Sequence, residues 1–91
     1  MIITQSPTFY KFVKKIDKNF KSELDNQIKK IAADPLIGEQ KQGDLQDIRI
    51  LKFKFSNTLY LVAYRHFEEK IQLIMINTHE NFYRNLKNYI K

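Results

Sequence analysis

Lys52 and Lys54 alternate with Leu51, Phe53 and Phe55, and in a strand that spacing puts both amines on one face. Two steps of strand rise set them about 7 Å apart, a gap that a phosphate group could bridge. Further along stands His79. Histidine is the side chain that most readily exchanges a proton near neutral pH. Tyr83 follows four residues later, on the same face if the segment is a helix, where its ring could stack on an unstacked base. Cations beside a charged phosphorus centre, with a proton-transfer group and an aromatic ring, fit chemistry at a phosphate ester. Arg84 and Lys87 are further cations that could contact phosphate, or could equally contact a protein partner or be solvated charges. Each residue also has a plain alternative. The lysines would sit on a solvated strand face, Thr78-His79-Glu80-Asn81 would be a helix cap with a surface histidine, and Tyr83 would be an amphipathic rim residue.

These residues need elements to hold them. The chain has 91 residues, enough for one domain over 1–91 and too few for two. Hydrophobic residues at 43% support a core, and charged residues at 29% rule out a membrane protein or a plainly disordered chain. Sixteen Lys+Arg against ten Asp+Glu give a net charge of +6, which favours polyanionic partners. With no cysteine, disulfides, thiol catalysis and Cys-containing zinc sites are excluded, and no cofactor is expected. The opening MIITQSPTFYKF lacks the basic start and apolar run of a signal peptide. No apolar run approaches the roughly 20 residues that span a bilayer. The expected location is the cytoplasm.

Ile2-Ile3-Thr4 reads as an edge strand, and Ser6-Pro7 as the start of a helix carrying Phe9, Phe12, Val13 and Ile16 on one stripe. Lys11, Lys14, Lys15 and Lys18 face away from that stripe. After a break near Asp17–Asn19, Phe20, Leu24, Ile28 and Ile31 mark a second helix that Asp34-Pro35 stops. The two predict an antiparallel helical hairpin. Residues 34–44 read as a loop, ending at Gly43-Asp44. Runs at 48–55, 59–66 and 71–78 predict strands joined by Ser56-Asn57-Thr58 and by Phe67–Lys70. The last two runs are apolar almost throughout, so both sheet faces should be covered. Asn77, three residues before Glu80, predicts the cap of a closing helix with Phe82, Leu86 and Ile90 on its stripe. The order β-α-α-β-β-β-α is an α+β fold: a helical hairpin packed on a small, mainly antiparallel four-stranded sheet with a C-terminal helix.

The pieces D34-P-L-I-G-E, K41-Q-G-D-L-Q-D-I-R-I, Y60-L-V-A-Y and T78-H-E-N-F-Y-R-N-L-K, in that order and spacing, resemble the RelE/ParE toxins of bacterial type II toxin–antitoxin systems. The resemblance covers nearly the whole chain, leading helical hairpin included. It implies a toxin held inactive by a cognate antitoxin in a heteromeric complex. RelE-like members cut mRNA in the ribosomal A site, whereas ParE-like members poison DNA gyrase and cut no RNA. Fold alone does not choose between them.

Metal-independent RNA cleavage needs help for the attacking 2′-hydroxyl, cations for the phosphorane and an acid for the leaving oxygen. His79 with Tyr83 matches the family's habit of a His or Arg after the last strand and an aromatic shortly downstream. With Lys52 and Lys54 they form the expected catalytic set, with no metal, and the expected function is a ribosome-dependent mRNA endonuclease. Arg49, Arg84 and Lys87 are the expected RNA-binding residues. Arg49 stands where the family's G-x-x-x-[IL]-R pattern has its arginine, although here four residues separate Gly43 from Ile48. A regular strand would point it away from Lys52, and a bulge near Ile50-Leu51 would bring it round. The chain departs from the ribonuclease pattern on the second strand of the meander, where Tyr60 stands in place of an arginine. Arg65 comes later, on the other face, and His66 reads as a turn residue without a role. The alternative to the ribonuclease is a non-enzymatic gyrase inhibitor.

Overall fold

The computed structural model of the chain describes residues 2–41 and 47–90, without the side chains of residues 83, 85 and 87–90. Its elements are β1 (Ile2–Gln5), α1 (Pro7–Val13), α2 (Lys18–Ala33), β2 (Glu39–Gln40), β3 (Arg49–Phe55), β4 (Thr58–Phe67), β5 (Lys70–Thr78) and α3 (His79–Ile90). Helix starts follow their capping residues. The Ser6 Oγ accepts from the Phe9 N–H at 3.0 Å with Pro7 at the first helical position, and Asp17 accepts from the Phe20 N–H at 2.8 Å. Asp34, before Pro35, closes α2. Ile16 lies beyond α1, in the turn between the helices.

The sheet has five strands in the order β1-β5-β4-β3-β2, with β1 parallel to β5 and the other pairs antiparallel. The expected count of four is thus short by one. The extra strand, β2, lies inside the segment read as a loop and pairs Glu39 with Ile50 and Gln40 with Arg49. Two residues carry no period to read, so only backbone pairing reveals such a strand. The expected Gly43-Asp44 break lies outside the described residues.

Two apolar layers cover the sheet. On one face α1 and α2 bury Phe9, Phe20, Leu24 and Ile31 against Phe53, Val62, Tyr64, Ile71, Leu73 and Ile76. On the other, Phe82 and Leu86 of α3 pack with Ile48, Ile50, Leu61, Ala63, Ile74 and Met75; the side chain of Ile90 lies outside the described residues. A β-bulge sits where Ala63 pairs with Met75 and Tyr64 with Leu73, leaving Ile74 extra. It turns Ile74 and Met75 to the same α3 layer. Ser6 answers the disturbed ladder, its Oγ donating to the Ile74 carbonyl at 2.6 Å. No bulge at Ile50-Leu51 brings Arg49 round, since β3 pairs with β4 without a break from Arg49–Tyr64 to Phe55–Thr58.

β5 runs directly into α3, so Thr78 holds the position before the first helical residue. Asn77, expected to cap the helix with Glu80, accepts instead from the Thr78 N–H at 2.8 Å. Among the described residues no helix is long and apolar enough to cross a membrane.

Candidate functional site

The β3–β4 connection is tight because Ser56 and Asn57 both adopt positive φ, 49° and 64°. A two-residue turn with both central residues of that hand matches the twist of the strands it joins. The turn fixes the register that pairs Lys52 with Leu61 and Lys54 with Leu59. Phe53 lies in the layer under the helical hairpin, while Ile50, Leu59 and Leu61 lie in the α3 layer. By strand alternation Lys52 and Lys54 therefore share the α3 face. Both are exposed.

The same register carries across to β5, where Leu61 pairs with Asn77 and Tyr60 with Thr78. Lys52 and Asn77 thus flank Leu61 from either side, about 10 Å apart at two inter-strand spacings. His79, exposed at the head of α3, is two residues past Asn77. Asn57, Thr58, Leu59, Thr78, His79 and Glu80 line a cleft of about 450 Å³ at this end of the sheet. Lys54 stands beside the cleft, paired with Leu59 of its wall. The sheet therefore gathers Lys52, Lys54 and His79 at one end of one face. Asn57 and Thr58 were not anticipated there; the Ser-Asn turn is the sequence signal that marks them.

The other candidates are placed differently. Arg49 keeps the direction of a regular strand, away from Lys52, and donates from Nη1 to the carbonyls of Gly38 at 2.8 Å and Leu36 at 3.3 Å. Arg84 is exposed on α3, its Nη2 donating to Asn81 Oδ1 at 3.0 Å. Tyr83 and Lys87 belong to α3, and their side chains lie outside the described residues.

Tyr60 packs among aromatic rings under the helical hairpin, 4.7 Å from Phe20 and 5.7 Å from Phe53 between centroids. An arginine there would face away from the lysines. The β4 residues paired with Lys54 and Lys52 are Leu59 and Leu61, which lie in the α3 layer with Ala63.

Arg49 and Tyr64 meet the loop after α2. The Tyr64 hydroxyl donates to the Pro35 carbonyl at 2.7 Å and accepts from the Gly38 N–H at 2.9 Å. Burial raises the Tyr64 pKa above its ordinary value; the Gly38 hydrogen bond and the Arg49 charge oppose that shift.

The chain matches the family described as the ParE-like toxin of type II bacterial toxin–antitoxin systems over residues 3–87. Its fold is similar to that of a double arginine-to-alanine variant of the Escherichia coli toxin RelE in the free state. The TM-score is 0.74 at 14% identity, covering 98% of this chain and 92% of that one. It is also similar to a chain of the intact E. coli RelBE toxin–antitoxin complex, with TM-score 0.68 and 17% identity over 84% of this chain and 93% of the other. A conserved hypothetical protein of Helicobacter pylori gives TM-score 0.60 at 16% identity, covering 88% of this chain and 96% of that one. No curated protein sequence matches.

Proposed function

The chain belongs to the ParE-like toxins of type II bacterial toxin–antitoxin systems, and from that premise we propose a ribosome-dependent mRNA endonuclease that needs no metal and is held inactive by a cognate antitoxin. One observation carries the reading: Lys52 and Lys54 share a sheet face and end beside the cleft that His79 lines. In this reading the RNA 2′-hydroxyl attacks the adjacent phosphorus. The O2′–P bond forms, the P–O5′ bond breaks, and the 2′-proton passes to a base while an acid protonates the departing 5′-oxygen. His79 and Tyr83 are the proton-transfer pair. Lys52 and Lys54 stabilise the phosphorane, whose charge exceeds that of the starting diester. Arg84 and Lys87 bind the RNA backbone from α3. Arg49 reaches RNA only with guanidinium nitrogens not spent on the Gly38 and Leu36 carbonyls.

The ribosome and mRNA are the partners of this activity, and the cytoplasm its location. An antitoxin partner is supported by the similar E. coli structures, two of which contain RelB or a RelB peptide.

A second reading, non-enzymatic inhibition of DNA gyrase, is favoured by Leu59 and Leu61. They pair with Lys54 and Lys52 and add no cation beside them. Induction of the chain in cells, with primer extension on mRNA and a gyrase cleavage assay side by side, separates the two. Codon-positioned mRNA breaks without gyrase-linked DNA breaks support the endonuclease; the converse pattern replaces it with the inhibitor.

A further inference from the structure

The far end of the sheet holds a second cleft, of about 340 Å³, with Leu36, Asp47, Arg49, Arg65, His66 and Phe67 in its walls. Phe67 ends the strand that Thr58 begins, so this cleft lies about 30 Å from the His79 end along β4. Arg49 is committed to the loop carbonyls and makes a fixed wall. Arg65 is different: it is half-buried, and among the described residues its guanidinium makes no hydrogen bond or ion pair. A guanidinium so placed offers a planar pair of donors to a carboxylate or phosphate. Beside it are large apolar side chains turned to solvent, Leu36 at 61% exposure and Phe67 at 49%.

We propose that this cleft receives a protein segment bearing one carboxylate among bulky apolar side chains, with Arg65 as its charge partner and Leu36 and Phe67 as its apolar walls. The inference rests on the reading that a protein antitoxin holds this chain, and it names the surface where a segment of that partner docks. The make-up of the walls favours peptide over RNA. Arg49 and Arg65 share them with one carboxylate, Asp47, and with the exposed apolar side chains of Leu36 and Phe67. Leu36 gains nothing from a chain that carries a phosphate at every step, whereas apolar side chains of a peptide can cover it. A single carboxylate can instead sit on Arg65 while its apolar neighbours cover Leu36 and Phe67.

The test measures binding of the full chain to the protein encoded beside its gene, and separately to a short single-stranded RNA oligonucleotide. Arg65→Glu and Phe67→Ser are compared with Lys52→Ala, and thermal unfolding checks that each variant is folded. Both far-end variants should weaken protein binding by about 30-fold or more, the scale for breaking a desolvated charge pair or an anchor. Lys52→Ala should leave it nearly unchanged, and Arg65→Glu should not lower RNA affinity beyond its small share of the net charge. Wild-type protein binding by both Arg65→Glu and Phe67→Ser places the docking surface elsewhere and overturns the proposal. Loss of RNA affinity in Arg65→Glu with protein binding intact makes the cleft an RNA subsite instead. If the unmodified chain itself fails to bind, the antitoxin reading falls together with the proposal, an outcome distinct from both.

Discussion

Arg49 and Tyr64 stand opposite each other on β3 and β4, and both end on Gly38. Arg49 donates to its carbonyl at 2.8 Å, and the Tyr64 hydroxyl accepts from its N–H at 2.9 Å. The residue that follows, Glu39, opens β2, so this pair fixes where the sheet acquires its last strand. It also shapes the wall of the far cleft through Leu36.

Tyr64→Phe keeps the ring and removes both hydroxyl bonds, leaving the Gly38 N–H and Pro35 carbonyl unpaired. The expected loss is about 1–3 kcal/mol. A Cβ at Gly38 would stand 2.7 Å from the Tyr64 hydroxyl and 2.8 Å from ring carbon Cε1. Gly38→Ala should therefore displace the ring and cost a further overpacking penalty, again about 1–3 kcal/mol. Urea unfolding checks both, and unchanged midpoints would contradict the role given to this contact.

Stability should fall in alkali for a related reason. The folded-state pKa of Tyr64 is raised by burial, so the folded chain holds that proton more tightly than the unfolded one. The contribution is complete below the unfolded value, near 10, and is lost as pH rises through the higher folded value. Unfolding free energy measured upward from about pH 9 should decline more steeply in the wild type than in Tyr64→Phe. Parallel curves would remove Tyr64 from the alkaline response.

Ser6 serves two elements at once, capping α1 through Phe9 and satisfying the Ile74 carbonyl at the bulge. Its side chain is buried. Ser6→Ala should cost about 1–3 kcal/mol, more than a solvent-exposed cap would. A loss below about 0.5 kcal/mol, the range of an ordinary surface change, would argue that water replaces both bonds.

Much of this was legible in the sequence, because helix starts and stops depend on single residue types. Ser6 and Asp34-Pro35 act as their chemistry predicts, and the apolar runs of β4 and β5 are covered on both faces. Asp17 caps the second helix where the sequence read only as a break, and Asn77 does not cap the third. What stayed hidden depends on pairing. β2 has two residues and no period. The bulge at Ile74 is invisible because Leu73, Ile74, Met75 and Ile76 are all apolar, so a change of phase leaves the pattern unaltered. For the site, alternation alone put Lys52 and Lys54 on one face. The end of that face on which His79 arrives follows from the Tyr60–Thr78 register. Arg65, His66 and Phe67 drew no functional reading because their cleft is built with Leu36, 29 residues or more away in sequence.

The endonuclease reading is tested most directly by single-turnover cleavage of ribosome-bound mRNA with the wild-type chain, Lys52→Ala, Lys54→Ala and His79→Ala, beside ribosome affinity for each. The account predicts cleavage slowed by about 10²-fold for either lysine variant, as for loss of one preorganised donor to a transition-state anion. Ribosome affinity should fall far less, because the chain's other cations share that attraction. Wild-type cleavage rates in both Lys52→Ala and Lys54→Ala, or no cleavage by the wild-type chain at all, would contradict it.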